Sequence, residues 1–150
     1  MAKGERFRVT ARLKGRRRTA SAVIGSVTAW AQEQTDVTGL VLVGSYAYGR
    51  PRMASDVDLV LLTSDVARHV RGLEWITTFD PAARLIRTQA WGPLTERRVR
   101  VRSGLQVELG VVPRSWAALP LDRGTENVLR DGCRILFDPN DTVRTAIAAL

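Results

Sequence analysis

The chain has 150 residues, 45% hydrophobic and 25% charged, which suits a globular protein with one ordinary core. No run nears the ~18 apolar residues of a membrane span, and no apolar segment follows the basic start, so neither a span nor a secretory leader is expected. The lone Cys133 excludes an internal disulfide and points to a reducing compartment, the cytoplasm.

The net charge of +8 is unevenly spread. Residues 1–18 hold eight cations, among them Lys3, Arg6, Arg8, Arg12 and Arg16, against Glu5 alone, whereas the remaining 132 residues are nearly neutral. Residues 1–15 therefore read as a basic arm and 16–150 as one domain. Such an arm suits a solvated tail better than a nucleic-acid contact, although it allows one.

Val23, Ile24, Val27, Trp30 and Ala31 recur at helical spacing, predicting a helix over 16–34. Leu40 to Val43 form a short apolar run that predicts a buried strand ending at Gly44-Ser45. A loop follows from Tyr46 to Ser55, then a strand over 56–62. Helical pieces are expected at 65–71 and 74–79. Strands are expected at 85–91, 97–102 and 105–112, the last two joined as an antiparallel hairpin by Ser103-Gly104. Short helices near Trp116 and over 125–130, a strand at 134–137 and a helix at 142–150 complete an α+β chain with a mixed sheet flanked by helices.

Asp56 and Asp58 lie two apart on a strand, so both carboxylates face one way. Two like charges beside an apolar run repel each other and resist desolvation. A divalent ion relieves both penalties, and hard oxygen donors suit Mg²⁺. Upstream, glycine lets the backbone approach a phosphate at Gly44 and the Ser45 hydroxyl offers a donor, while Arg50 and Arg52 add positive charge for a triphosphate. Glu108 interrupts the apolar strand Gln106–Val112, as an edge residue or as a third site carboxylate.

Other candidates read more plainly. Arg98, Arg100 and Arg102 alternate with Val99 and Val101 and suit a solvated strand face better than a basic stripe for a polyphosphate or RNA. His69 is expected to be exposed, Cys133 to fill a core gap, and the four tryptophans to pack in the core or at its rim.

The ordered set resembles the nucleotidyltransferase superfold of DNA polymerase beta: Leu40-Val41-Leu42-Val43-Gly44-Ser45, ten residues, Asp56-Val57-Asp58, then Glu108. Trp75-Ile76-Thr77-Thr78-Phe79 with Gly104-Leu105-Gln106-Val107-Glu108 is similar to the catalytic half of the aminoglycoside adenylyltransferases. Gly124-Thr125, Asp131-Gly132 and Leu136-Phe137-Asp138-Pro139 look like small bacterial relatives. These 150 residues are not expected to supply the long C-terminal helical domain that helps form their acceptor pocket.

The resemblance implies a minimal nucleotidyltransferase fold and a two-metal transfer of a nucleoside monophosphate, AMP first among them, from ATP or another nucleoside triphosphate to a hydroxyl. Gly44 and Ser45 would hold the triphosphate. Asp56 and Asp58 would bind two Mg²⁺ ions, or Mn²⁺ in their place, and Glu108 would be the third ligand or the general base. The acceptor is a small molecule or a protein, the latter in an antitoxin-like role, and a homodimer is allowed. A nucleotide- or RNA-binding regulator with little catalysis is the reading from another class.

Overall fold

A computed structural model describes residues 10–150, so the arm cations Lys3, Arg6 and Arg8 lie outside the described residues. Helix α1, Ala11–Gln32, begins at Thr10, whose side chain accepts from the Leu13 amide at 3.1 Å. It starts earlier than the periodicity predicts because its first turns are polar and carry no apolar face to detect. Ala20, Val23, Val27, Trp30 and Ala31 form its buried stripe.

Strand β1, Val37–Val43, runs into a helical turn α2, Ser45–Tyr48, where the sequence suggested only loop. Four residues are too few for a periodic signal. Strand β2, Val57–Thr63, returns antiparallel to β1. Two further turns follow, α3 (Val66–His69) and α4 (Glu74–Thr77).

Strands β3 (Arg84–Trp91), β4 (Leu94–Arg100) and β5 (Gln106–Pro113) are joined as successive antiparallel neighbours. A 3₁₀ turn over Arg114–Ala117, helix α5 (Arg123–Arg130), strand β6 (Cys133–Phe137) and helix α6 (Thr142–Ala148) complete the order. Among the described residues no helix is long and apolar enough to cross a membrane.

The sheet runs β3-β4-β5-β2-β1-β6, and only β2 and β5 are parallel. Strand alternation gives each face its own core. One face, with Leu40, Leu42, Leu59, Leu61, Val107 and Leu109, packs under α1 and Trp75. The other, with Val41, Val60, Leu62 and Val112, is covered by Trp116, Leu129 and Val143. Trp30, Trp75 and Trp116 are buried as expected, whereas Trp91 is exposed.

His69 is buried, contrary to the sequence expectation. Its Nε2 lies 2.5 Å from Asp36 Oδ2 and its ring meets Trp30 edge-on. Asp36 also accepts from Thr63 Oγ1 and from Arg68 Nη1, each at 2.6 Å. A polar turn buries its one imidazole because Asp36, from the turn between α1 and β1, supplies the partner. Burial raises the Asp36 proton affinity, but the hydrogen bonds from Thr63 and His69 outweigh it and hold the carboxyl below its usual range.

A depressed carboxylate stabilises the fold above its unfolded value of 3.8 and loses that effect as pH falls through the folded value. Asp36→Ala therefore destabilises the protein at pH 7 by about 2–3 kcal/mol, since His69 and Thr63 lose their buried partner. Urea unfolding is expected to show the difference shrinking below pH 3.8.

Candidate active site

The site forms where β2 and β5 lie parallel. Asp58 and Glu108 are direct partners in that register, so their side chains leave the same face at neighbouring positions. Asp56 precedes β2 by one residue, and the alternation that buries Val57 turns Asp56 and Asp58 away from the core. Gly44 ends β1 against this cluster with φ +77°, and a Cβ there would run into Asp58 Oδ2. Any other residue would both strain the backbone and displace the carboxylate. The structure thus brings Gly44, Asp56, Asp58 and Glu108 together. Arg50 and Arg52 stand exposed on the connecting loop, and among the described residues neither forms an ion pair.

Two more residues belong to the cluster. Arg98 of β4 lies opposite Glu108, not on a solvated face. Its guanidinium contacts Glu108 Oε1 and reaches Asp56 Oδ2 at 3.7 Å and Glu96 Oε1 at 3.6 Å. It also donates to Gln106 Oε1 at 3.2 Å. Glu96 is buried, accepting from Trp91 Nε1 at 2.9 Å and pairing with Arg87 at 3.4 Å.

The reason Arg98 escapes the sequence is register. A tight turn at Ser103-Gly104 would continue β4 to Arg102. Instead β4 ends at Arg100, opposite Gln106, and the connection is closed by Val101 and Leu105, whose backbones bond at 3.0 Å. The tighter turn would set Arg98 beside Leu109 on the core face, whereas the observed register sets it beside Glu108, on a face that is not solvated but carries the carboxylates. One signal was available: Leu94, Glu96 and Arg98 alternate, with the two charges on a single side.

Beside the carboxylates lies a cavity of about 310 Å³ walled by Trp91, Leu94, Val43 and Val128, with Asp58, Glu96 and Glu108 at its polar end. Gly110 forms its floor under Leu94, and a Cβ on Gly110 would come within 2.8 Å of Leu94 Cδ1.

The carboxylates fit hard cations in chemistry. Burial, then the neighbouring Asp56 charge, pushes the Asp58 carboxyl up to about 7, with Arg98 pulling the other way. Negative charge here is held against its preference, which is what a divalent ion would relieve. Among the described residues no three His, Cys, Asp or Glu side chains are spaced to enclose an ion. The Arg98 guanidinium supplies the positive charge between Glu108 and Asp56.

A carboxyl raised on folding binds its proton more tightly in the native state, so ion-free stability falls as pH climbs from about 4 to about 7. Asp58→Asn removes that effect. The variant is expected to melt above the ion-free wild type at pH 8, with the gap closing below pH 3.8. A thermal melt series in chelator checks this, and an unchanged gap across pH would refute it.

Comparison with known proteins places the cluster in a wider setting. No curated protein sequence matches the chain. Among solved structures, a nucleotidyltransferase-like protein from Exiguobacterium sibiricum is 20% identical, with a TM-score of 0.48, and aligns over 87% of this chain and 37% of its own. The Cid1 poly(U) polymerase is 14% identical, with a TM-score of 0.42, over 65% of this chain and 30% of its own. The chain thus spans about a third of the length of each. The profile of the family described as "Nucleotidyltransferase domain" matches residues 26–113, a segment that contains Gly44, Ser45, Asp56, Asp58 and Glu108. The chain belongs to the nucleotidyltransferase domain family.

Proposed function

We propose that the protein transfers a nucleoside monophosphate from a nucleoside triphosphate, ATP first among them, to a hydroxyl acceptor, with release of pyrophosphate. The observation that carries this reading is the in-register pairing of Asp58 with Glu108, with Gly44 set against the Asp58 carboxylate.

Each residue then has a defined task. Asp56 and Asp58 hold Mg²⁺, or Mn²⁺ in its place, and Glu108 completes the ligand set or takes the proton from the attacking hydroxyl. When bound, the ions stabilise charge on the attacking and leaving oxygens. Ser45 donates to the triphosphate at the turn beside Asp58, and Gly44 lets that turn approach. Arg50 and Arg52 fold over the phosphates from the exposed loop. Arg98 holds Glu108 and Asp56 together in the ion-free protein, so that four carboxylates near one point do not drive the strands apart. The apolar wall of Trp91 and Leu94 excludes water from the reacting end and raises the strength of these charges. Residues 16–150 act as one catalytic unit, and the lone Cys133, its thiol pushed up by burial, suits work in a reducing compartment such as the cytoplasm.

The test uses α-labelled nucleoside triphosphates with Mg²⁺ and a cell extract. Wild type is expected to deposit label on an acceptor, and Asp56→Asn/Asp58→Asn to lose about a thousandfold in rate, the several kcal/mol that charge stabilisation supplies. Circular dichroism should be unchanged. Equal labelling by both proteins would refute the assignment. A label on a protein band would favour an antitoxin-like target, and a label on a small molecule the adenylyltransferase pattern.

A further inference from the structure

Five arginines far apart in the sequence gather on one surface. Arg12 and Arg16 come from α1, Arg84 from β3, Arg100 from the end of β4 and Arg102 from the β4–β5 connection. They line three adjoining depressions, the first two sharing Thr19 and Ser103, the second and third sharing Val101 and Arg102. Arg16 lies over the tip of the connection, its Nη2 3.7 Å from where a Gly104 Cβ would be. Among the described residues none of the five forms an ion pair. Asp80, the acid within the patch, is tied to backbone, accepting from Arg102 N at 2.7 Å and Ala82 N at 2.9 Å.

Local physics disfavours this accumulation. The first turn of α1 contains no acid, although the helix dipole there favours anions over Arg12 and Lys14. Across the β3–β4 ladder Arg84 faces Arg100, a like-charge pair that weakens the sheet. Cations kept in such positions fit an anionic partner. A single phosphate would engage one or two of them; five spread over three depressions match a repeating anion.

An acidic protein is the weaker match. Protein interfaces centre on apolar anchors, and none of the large hydrophobic residues exposed among the described residues lines this patch. Nucleic-acid interfaces are polar and strongly positive. Thr19 and Ser103, set between the arginines, offer acceptors for ribose 2′-hydroxyls.

The patch leads to the carboxylates. Met53, which lines it beside Arg12 and Arg16, belongs to the loop that ends at Asp56.

We propose that this patch binds the phosphodiester backbone of single-stranded RNA and directs its terminal ribose hydroxyl toward Asp58 and Glu108. The delivery half rests on the transferase reading; the binding half does not. In the transfer, the ribose oxygen bonds to the α-phosphorus of the triphosphate as the α-phosphorus–bridging-oxygen bond breaks. Pyrophosphate leaves with that electron pair, and the hydroxyl proton passes to Glu108.

The binding test needs neither nucleotide nor metal. Anisotropy of a labelled single-stranded RNA of about 12 nucleotides is followed against KCl. Five contacts predict a log–log slope of about −3.5 for wild type. Arg100→Gln/Arg102→Gln and Arg12→Gln/Arg16→Gln should each weaken binding about tenfold and flatten the slope by about 1.4. Arg130→Gln/Arg144→Gln should change neither. Unaltered affinity and slope in both patch variants overturn the proposal, as does displacement by poly-glutamate or by DNA of the same sequence as readily as by RNA. With α-labelled triphosphate and Mg²⁺ added, label on the RNA end that is lost in the patch variants supports delivery. Label only on another acceptor overturns delivery. No labelling of any acceptor refutes the transferase reading and with it delivery, while the binding result stands.

Discussion

Mutual repulsion among acidic side chains that the sheet forces together governs this structure. Asp56, Asp58, Glu96 and Glu108 leave three strands toward one face at one end, and Asp58 pays for its place with a proton affinity raised by burial and by its neighbour. Folding on hydrophobic burial alone would avoid that arrangement. The chain tolerates it because Val57, Leu59, Leu61, Val107 and Leu109 bury the opposite sides of the same strands. The free energy of two apolar faces holds the charges together at the end of the sheet.

Arg98 is the counterweight. Its position on β4, opposite Glu108, lets one guanidinium reach three carboxylates. The cluster's positive charge, among the described residues, comes from this one side chain. The same strand presents Arg100 at its end, so β4 connects the carboxylate cluster with the basic surface that wraps the end of the sheet. Cluster and surface thus share a strand.

The parallel pairing of β2 and β5 is the topological condition for all of this. Strands β3 and β4 are inserted between them in sequence but lie outside them in the sheet. That crossover sets Glu108 in step with Asp58, fifty positions apart. The aspartate spacing and the glycine-serine turn are local features. Their meeting with Glu108 is not local, and only the resemblance to a known arrangement made it an expectation.

What the sequence determined by itself is the set of properties that travel along the chain. Period-two alternation placed Asp56 with Asp58 and away from Val57, apolar runs marked the strands, and the helical stripe of Val23, Val27 and Trp30 marked α1. Tertiary structure alone decided what meets across it. The β4–β5 connection is longer than its Ser103-Gly104 pair suggests, and the register it sets puts Arg98 beside Glu108 on the face that carries the carboxylates. His69 became buried because Asp36 arrived from the turn after α1, and Arg12 and Arg16 of the basic start joined Arg84, Arg100 and Arg102 from a stretch whose counted charge is nearly neutral. Side-chain direction is set by covalent geometry within a few residues, whereas register and charge assembly depend on loop closure and on packing between distant segments, which no local pattern encodes.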